Sequence, residues 1–258
     1  MSRTALLAGL DVVQRRVGST SVLEAGSGPP LVLLHGGIEC GGVIWAPVIA
    51  QLAASHRLVI PDVPGLGESD PVRATFGEWF RELIELTCDE EPAVVAHSLC
   101  GTLAARCGIG RPLIVYGAPG VGRYRMPIAL RAGAVRFGLR PTRRNLERME
   151  RLAFHDRDAL DPGWLEAFGA YMLDRARVPH VKRTMRQLVA AGTKQVELPR
   201  CELIWGRHDR FVPVALAERA GRPLHVIEDA GHVPHVERPE AFSRVVAATA
   251  RRASAAAG

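Results

Sequence analysis

Lysine is almost missing. Lys182 and Lys194 are the only two among 33 basic residues, so arginine carries the positive charge. The formal net charge is +6 over 258 residues. No nucleic-acid recognition motif accompanies that excess, so nucleic acid is not an expected partner. Cysteine is sparse and shows no C-x-x-C spacing: Cys40, Cys88, Cys100, Cys107 and Cys201. An odd, scattered set argues against a disulfide framework or a zinc site, and reduced thiols are expected. No apolar run approaches a membrane span, and no charged-then-apolar leader is visible. The expectation is a cytoplasmic protein without membrane contact. Aromatics are only 5% of residues, yet 47% of the chain is hydrophobic, ample for a full core. The length fits one large domain, or one domain carrying an insertion.

The most informative stretch is Ala93-Val94-Val95-Ala96-His97-Ser98-Leu99-Cys100-Gly101. Its apolar, β-branched start reads as a buried strand, and the small residues from Gly101 to Cys107 read as a helix. A strand turning straight into a helix leaves one residue at the apex of a tight turn, here Ser98. The hydroxyl then stands beside helix N–H groups, where negative charge is favoured.

Around this turn, strands and helices alternate. Val12–Val17 and Ser21–Glu24 suit a hairpin, and Leu31–His35 reads as a buried strand. It runs into a loop with four glycines, Gly36, Gly37, Gly41 and Gly42, that lets the backbone approach something closely. A helix over Trp45–Ala54, a strand over Leu58–Ile60, a helix over Thr75–Cys88 and a strand over Pro112–Tyr116 complete the first half. This pattern predicts an α/β fold, a mostly parallel sheet with helices on both faces. Residues 121–197 break it with four helical patterns, at Pro127–Phe137, Arg143–Phe154, Pro162–Asp174 and Val181–Ala191. Sixteen Lys or Arg against eight Asp or Glu give that stretch a formal +8. It reads as a helical cap between two core segments, 1–120 and 198–258. Strands resume at Cys201–Trp205 and Leu224–Ile227, and a closing helix over Pro239–Arg252 ends in a fraying tail.

A serine nucleophile needs a general base, itself oriented by an acid. Asp209 and His232 follow the two late strands, at the sheet edge where Ser98 sits. Five segments together resemble the α/β-hydrolase family: L-V-L-L-H-G-G (31–37), D-x-P-G-x-G-x-S (62–69), the serine turn, W-G-x-x-D-x-x-x-P (205–213) and G-H-x-P-H-x-E-x-P-E-x-F (231–242). The turn departs from the family's G-x-S-x-G, since Ala96 and Cys100 stand where glycines are usual. The resemblance implies the α/β-hydrolase fold, with Ser98 as nucleophile, His232 as general base and then acid, and Asp209 orienting His232. It also implies an oxyanion hole from the N–H groups of Gly37 and Leu99. No cofactor and no metal are implied.

The other histidines have plainer readings. His35 shapes the glycine-rich loop, and His235 packs at the start of the closing helix. His97 lends its neighbour's geometry rather than its ring, and His208 faces solvent. His56, His155, His180 and His225 are surface or packing residues. Asp62 and Asp70 brace their own turn, and Cys100 fills a small apolar space beside the serine. The arginines of the cap are mainly solvated, though they offer attraction for an acidic substrate.

The expected function is a serine esterase acting on a small organic substrate held under the cap. The carbon–carbon bond hydrolases of aromatic-ring degradation are the alternative. The segments R-R-N-L-E-R (143–148) and W-G-R-H-D-R-F-V-P (205–213) are similar to theirs, but Val233 follows His232 where that branch often has Trp. Perhydrolysis of organic acids uses the same three residues. A non-catalytic binding protein on this fold is the reading from a different class. Natural substrate and oligomeric state are not legible.

Overall fold

The computed structural model describes residues 2–37, 39 and 41–257, with side chains from 3 to 252. Cys40 therefore lies outside the described residues; Cys88, Cys100, Cys107 and Cys201 are free thiols. A short helix α1 (Ser2–Leu6), absent from the sequence reading, precedes the hairpin of β1 (Val13–Val17) and β2 (Thr20–Ala25). Then come β3 (Pro30–Leu34), α2 (Ala46–Ala53), β4 (Arg57–Pro61), α3 (Phe76–Thr87), β5 (Ala93–His97), α4 (Ser98–Cys107) and β6 (Leu113–Tyr116). Four helices follow without a strand among the described residues: α5 (Ile128–Leu139), α6 (Arg143–Ala153), α7 (Pro162–Arg175) and α8 (Pro179–Gly192). The chain returns to the sheet through β7 (Glu202–Gly206), α9 (Ala215–Glu218) and β8 (Leu224–Ile227), and closes with α10 (Pro234–Glu237) and α11 (Pro239–Ala257).

The eight strands form one sheet in the order β1-β2-β4-β3-β5-β6-β7-β8. The hairpin joins antiparallel, while every pair from β4–β3 to β7–β8 is parallel. β3 and β5 are buried at every position, which is why each reads as a continuous apolar run rather than an alternating one. All parallel strands end at one edge, and the loops after β3, β5, β7 and β8 meet there.

Local chemistry sets several boundaries. Thr75 caps α3: its hydroxyl accepts the Glu78 N–H at 3.3 Å while the Glu78 carboxylate accepts the Thr75 N–H at 2.8 Å. α4 begins at Ser98 itself, three residues before the glycine where the sequence pattern put it. α11 runs through Ala257, beyond the expected helix end at Arg252, and its last residues are dominated by alanine, the strongest helix former. One continuous apolar core joins the sheet to the inserted helices, with Leu146, Met149, Phe168 and Met172 packed into the same cluster as Leu33 and Val95.

Candidate active site

Ser98 stands at the β5–α4 junction with φ +53, a left-handed conformation rare for a residue with a side chain. Such strain costs roughly 1–3 kcal/mol and persists only where the surroundings impose it. Here β5 must reverse into α4 within one residue. A Cβ on Gly101 would lie 2.8 Å from the Ala96 carbonyl oxygen, so the close strand–helix approach falls at Gly101. Cys100 is tolerated because its side chain turns into the core, fully buried. Burial pushes its thiol pKa far up, which leaves Cys100 an inert filler rather than a reactive thiol.

The three residues singled out from sequence meet. His232 Nε2 lies 3.0 Å from Ser98 Oγ, and His232 Nδ1 lies 2.8 Å from Asp209 Oδ2. Asp209 Oδ1 accepts the N–H groups of Phe211 and Val212, both at 2.8 Å. A carboxylate at Nδ1 places the ring proton there, so Nε2 offers its lone pair to the serine O–H. Burial opposes charge on His232, but the Asp209 carboxylate, by its charge and its hydrogen bond, outweighs burial and raises the imidazole pKa. Gly37 and Leu99, expected to supply oxyanion N–H groups, lie side by side: a Cβ on Gly37 would stand 2.8 Å from Leu99 Cδ1. The Leu99 N–H belongs to the first turn of α4, where no intrahelical acceptor competes for it.

The loop of His232 is held from several sides. Its N–H donates to the Ala153 carbonyl at the end of α6 (2.7 Å). Glu237, 6% exposed, accepts the N–H of Gly231 at 2.7 Å and that of His155 at 2.6 Å. One carboxylate thus ties the histidine loop to the chain after α6.

Beside this array lies a group that sequence reasoning passed over. Glu39, 1% exposed, follows β3 and stands with Oε1 2.5 Å from His97 Nδ1. A Cβ on Gly36 would meet Glu39 Oε2 at 2.5 Å and Ser98 Cβ at 2.9 Å, so Glu39 and Ser98 are neighbours across that glycine. Burial would push the Glu39 carboxyl up, but the imidazoles of His97, His232 and His35 hold it down to about 2. His97 therefore departs from expectation: its ring matters. Nε2 donates to the His232 carbonyl at 2.9 Å, and the ring stacks on Tyr116 at 4.3 Å. The signal for Glu39 was its place in a glycine-rich loop at the carboxyl end of a central strand.

Other assignments divide. His35 braces the loop by accepting the Val63 N–H at 2.9 Å, and His235 packs beneath Trp45 and meets Tyr116 Oη at 3.1 Å. Asp62 braces more than its own turn, accepting N–H groups of Gly42 (2.6 Å) and Glu68 (2.9 Å) and pairing with Arg3 (2.9 Å). The Asp70 side chain, expected to brace that same turn, instead pairs with Arg16 on β1, although its carbonyl accepts the Gly65 N–H at 3.2 Å. His208 is exposed as expected, and His225 pairs with Glu202 at 2.7 Å. His155 and His208 stack at 3.9 Å near Asp229, the one grouping of metal-type donors among the described residues. The rings are 14° from parallel, so their in-plane lone pairs run side by side rather than converging on one ion.

Next to Glu39 and Val233 a cavity of about 40 Å³ opens beneath α6 and α7, lined mainly by Ile44, Met149, Phe154 and Phe168. Among the described residues Glu39 and Glu150 are the two polar members of its lining, and the wall it exposes is almost wholly apolar. No arginine is among its lining residues in the described part of the structure.

The parallel sheet, the strained serine turn and the assembled Ser–His–Asp array define an α/β hydrolase architecture. The chain belongs to the alpha/beta hydrolase family, whose profile matches residues 31–245. It is similar to a 2-hydroxy-6-oxononadienedioate/2-hydroxy-6-oxononatrienedioate hydrolase of Cupriavidus pinatubonensis, 28% identical over 254 residues that cover 86% of this chain and 87% of that one. Among solved structures it resembles the 2-hydroxy-6-oxo-6-phenylhexa-2,4-dienoate hydrolase of Rhodococcus sp. strain RHA1, with TM-score 0.79, 23% identity and coverage of 93% and 99%. A carboxylesterase of Bacillus subtilis superposes with TM-score 0.76 at 18% identity, covering 96% of this chain and 95% of that chain. At these identities the two structures speak for the fold alone. No helix among the described residues is long and apolar enough to cross a membrane.

Proposed function

We propose that this chain is a serine hydrolase that cleaves an ester of a small organic substrate, with α5 to α8 roofing the pocket. The observation that carries the reading is the buried relay from Ser98 Oγ to His232 Nε2 at 3.0 Å and from His232 Nδ1 to Asp209 Oδ2 at 2.8 Å. Ser98 Oγ attacks the ester carbonyl carbon as its proton passes to His232 Nε2. Asp209 keeps the imidazole in the tautomer that can accept it and offsets the imidazolium charge. The N–H groups of Gly37 and Leu99 hold the oxyanion, a donor pair in which each member is worth about 3 kcal/mol in the transition state. His232 then protonates the leaving alcohol, and a water deprotonated by the same nitrogen releases the acid from Ser98.

The test is direct. The wild type should hydrolyse a short acyl aryl ester and take a fluorophosphonate label on Ser98. Ser98→Ala should lose both while keeping its fold by circular dichroism. A Ser98→Ala protein that still turns over the ester at the wild-type rate removes the reading. Carbon–carbon hydrolysis is the second reading, favoured by the name of the Cupriavidus relative. Faster turnover of a vinylogous dienoic keto-acid than of the ester would select it. A chain that refuses the label and both substrates would be a binding protein on a hydrolase fold.

A further inference from the structure

We propose that the outward face of α5 docks on an anionic lipid bilayer, with the helix lying in the bilayer surface rather than crossing it. The binding does not depend on the reaction proposed for Ser98.

Helix α5 is apolar on two sides and packed on one. Of its twelve residues only Leu130 is buried. Phe137, two turns on and directed the same way, lines the cavity beneath α6 and α7. On the opposite side Ile128, Val135 and Leu139 are 80%, 57% and 76% exposed. Steps of seven and four residues put these three on one helix face, and Ala132, also exposed, falls between them. The other large exposed hydrophobic side chains among the described residues, Val13 and Leu86, stand on β1 and α3. Single exposed apolar residues are ordinary, but a row of them along one helix marks a contact surface. The charge around the row has one sign. Seven arginines fall between positions 123 and 144, and no Asp or Glu stands between Glu91 and Glu147. At 100° per residue, Arg131 lies on one side of the apolar row, and Arg136 and Arg140 lie on the other. All three are exposed, and none makes an ion pair among the described residues.

An apolar row between cationic rims fits a surface that is anionic outside and apolar just beneath. Acyl chains take Ile128, Val135 and Leu139, and lipid phosphates take the guanidiniums, whose methylene stems lie along the boundary. A second copy of the chain fits poorly, because a two-fold contact through α5 sets arginines against arginines. No hydrogen-bonding side chain interrupts the row, so it offers nothing that reads the shape of one protein partner. The expectation of no membrane contact rests on the lack of a spanning run, and an interfacial helix needs none.

The experiment is co-sedimentation of the full chain with vesicles. Vesicles of phosphatidylglycerol mixed with phosphatidylcholine should be bound at least tenfold more tightly than phosphatidylcholine alone. That preference should shrink as salt rises from about 0.1 M to about 1 M. Ile128→Ser combined with Leu139→Ser should weaken binding to the mixed vesicles about tenfold, and so should Arg131→Gln combined with Arg136→Gln. No binding to the mixed vesicles, equal binding to the two compositions, or wild-type binding by either folded variant overturns the proposal. Should a variant not fold, Ile128→Trp decides: its added emission should move to shorter wavelength on the mixed vesicles, and an unmoved spectrum overturns the proposal. A dimer that the serine substitutions split, in a chain that ignores vesicles, would make this face an interface between copies and overturns it as well. Ester hydrolysis in solution reports separately on Ser98, so a failed ester assay with intact vesicle binding sinks only the function.

Discussion

In the proposed mechanism the imidazole of His232 has to be neutral to take the proton of Ser98, and Asp209 raises its pKa above the ordinary histidine value of 6.5. The sign follows. Below the raised pKa the ring is charged and idle, so kcat/KM for an aryl ester should climb with pH through a midpoint above 6.5. Asp209→Asn removes the raising charge and the tautomer control. Its acid limb should move to lower pH, and kcat should fall by about 10⁴-fold. An unmoved limb in a pH–rate profile would exclude Asp209 from the role. Glu39 works in the opposite sense. Its folded pKa of about 2 lies below the ordinary 4.5, so its contribution to stability is present above pH 4.5 and lost as pH falls from there toward about 2. Denaturant unfolding over that window should show a steeper loss for the wild type than for Glu39→Gln. Ser98, Asp209 and His232 were legible from sequence because each follows a recognisable strand and sits in a dense local pattern. The ring of His97 and the carboxylate of Glu39 were not, since their meaning lies in a contact across 58 residues that no local spacing encodes.

Helix α3 shows how far a local signal can carry. Thr75 and Glu78 satisfy each other's backbone N–H groups, a pairing visible as T-x-x-E before an apolar stripe. Thr75→Ala should cost about 1 kcal/mol in denaturant unfolding and leave ester turnover intact, because α3 lies away from the serine. α10, by contrast, is a four-residue turn with no propensity signal, yet it carries Glu237. The Glu237 carboxylate holds N–H groups on two separate loops, at Gly231 and at His155 and Asp156. Glu237→Ala would orphan these donors, each worth about 1–3 kcal/mol when buried. Both the melting temperature and kcat should fall together, and Glu237→Gln, which keeps one acceptor, should fall less. A loss of stability without any loss of kcat would show that the clamp does not position His232.

Across the whole molecule the inserted helices and the sheet share one apolar cluster, and the end of α6 hydrogen-bonds to the histidine loop. The helices expected to form a cap over residues 121–197 have no apolar core apart from the one they share with the sheet among the described residues. We therefore expect one unfolding transition, with far-UV and near-UV circular dichroism changing together in denaturant. Two resolved transitions would instead make α5 to α8 an independent unit.

Sequence alone determined the alternation of strand and helix, the interruption by four helices and the choice of Ser98, Asp209 and His232, which the structure brings together. Those features are written in local periodicity, turn chemistry and short motifs, which act over a few residues. Tertiary structure decided what surrounds them: the carboxylate of Glu39 beside the serine, the clamp at Glu237, the burial of Cys100 and an apolar cavity beneath α6 and α7. Burial and countercharge depend on which distant segments meet, and that is settled only when the sheet closes and the helices fold down upon its edge.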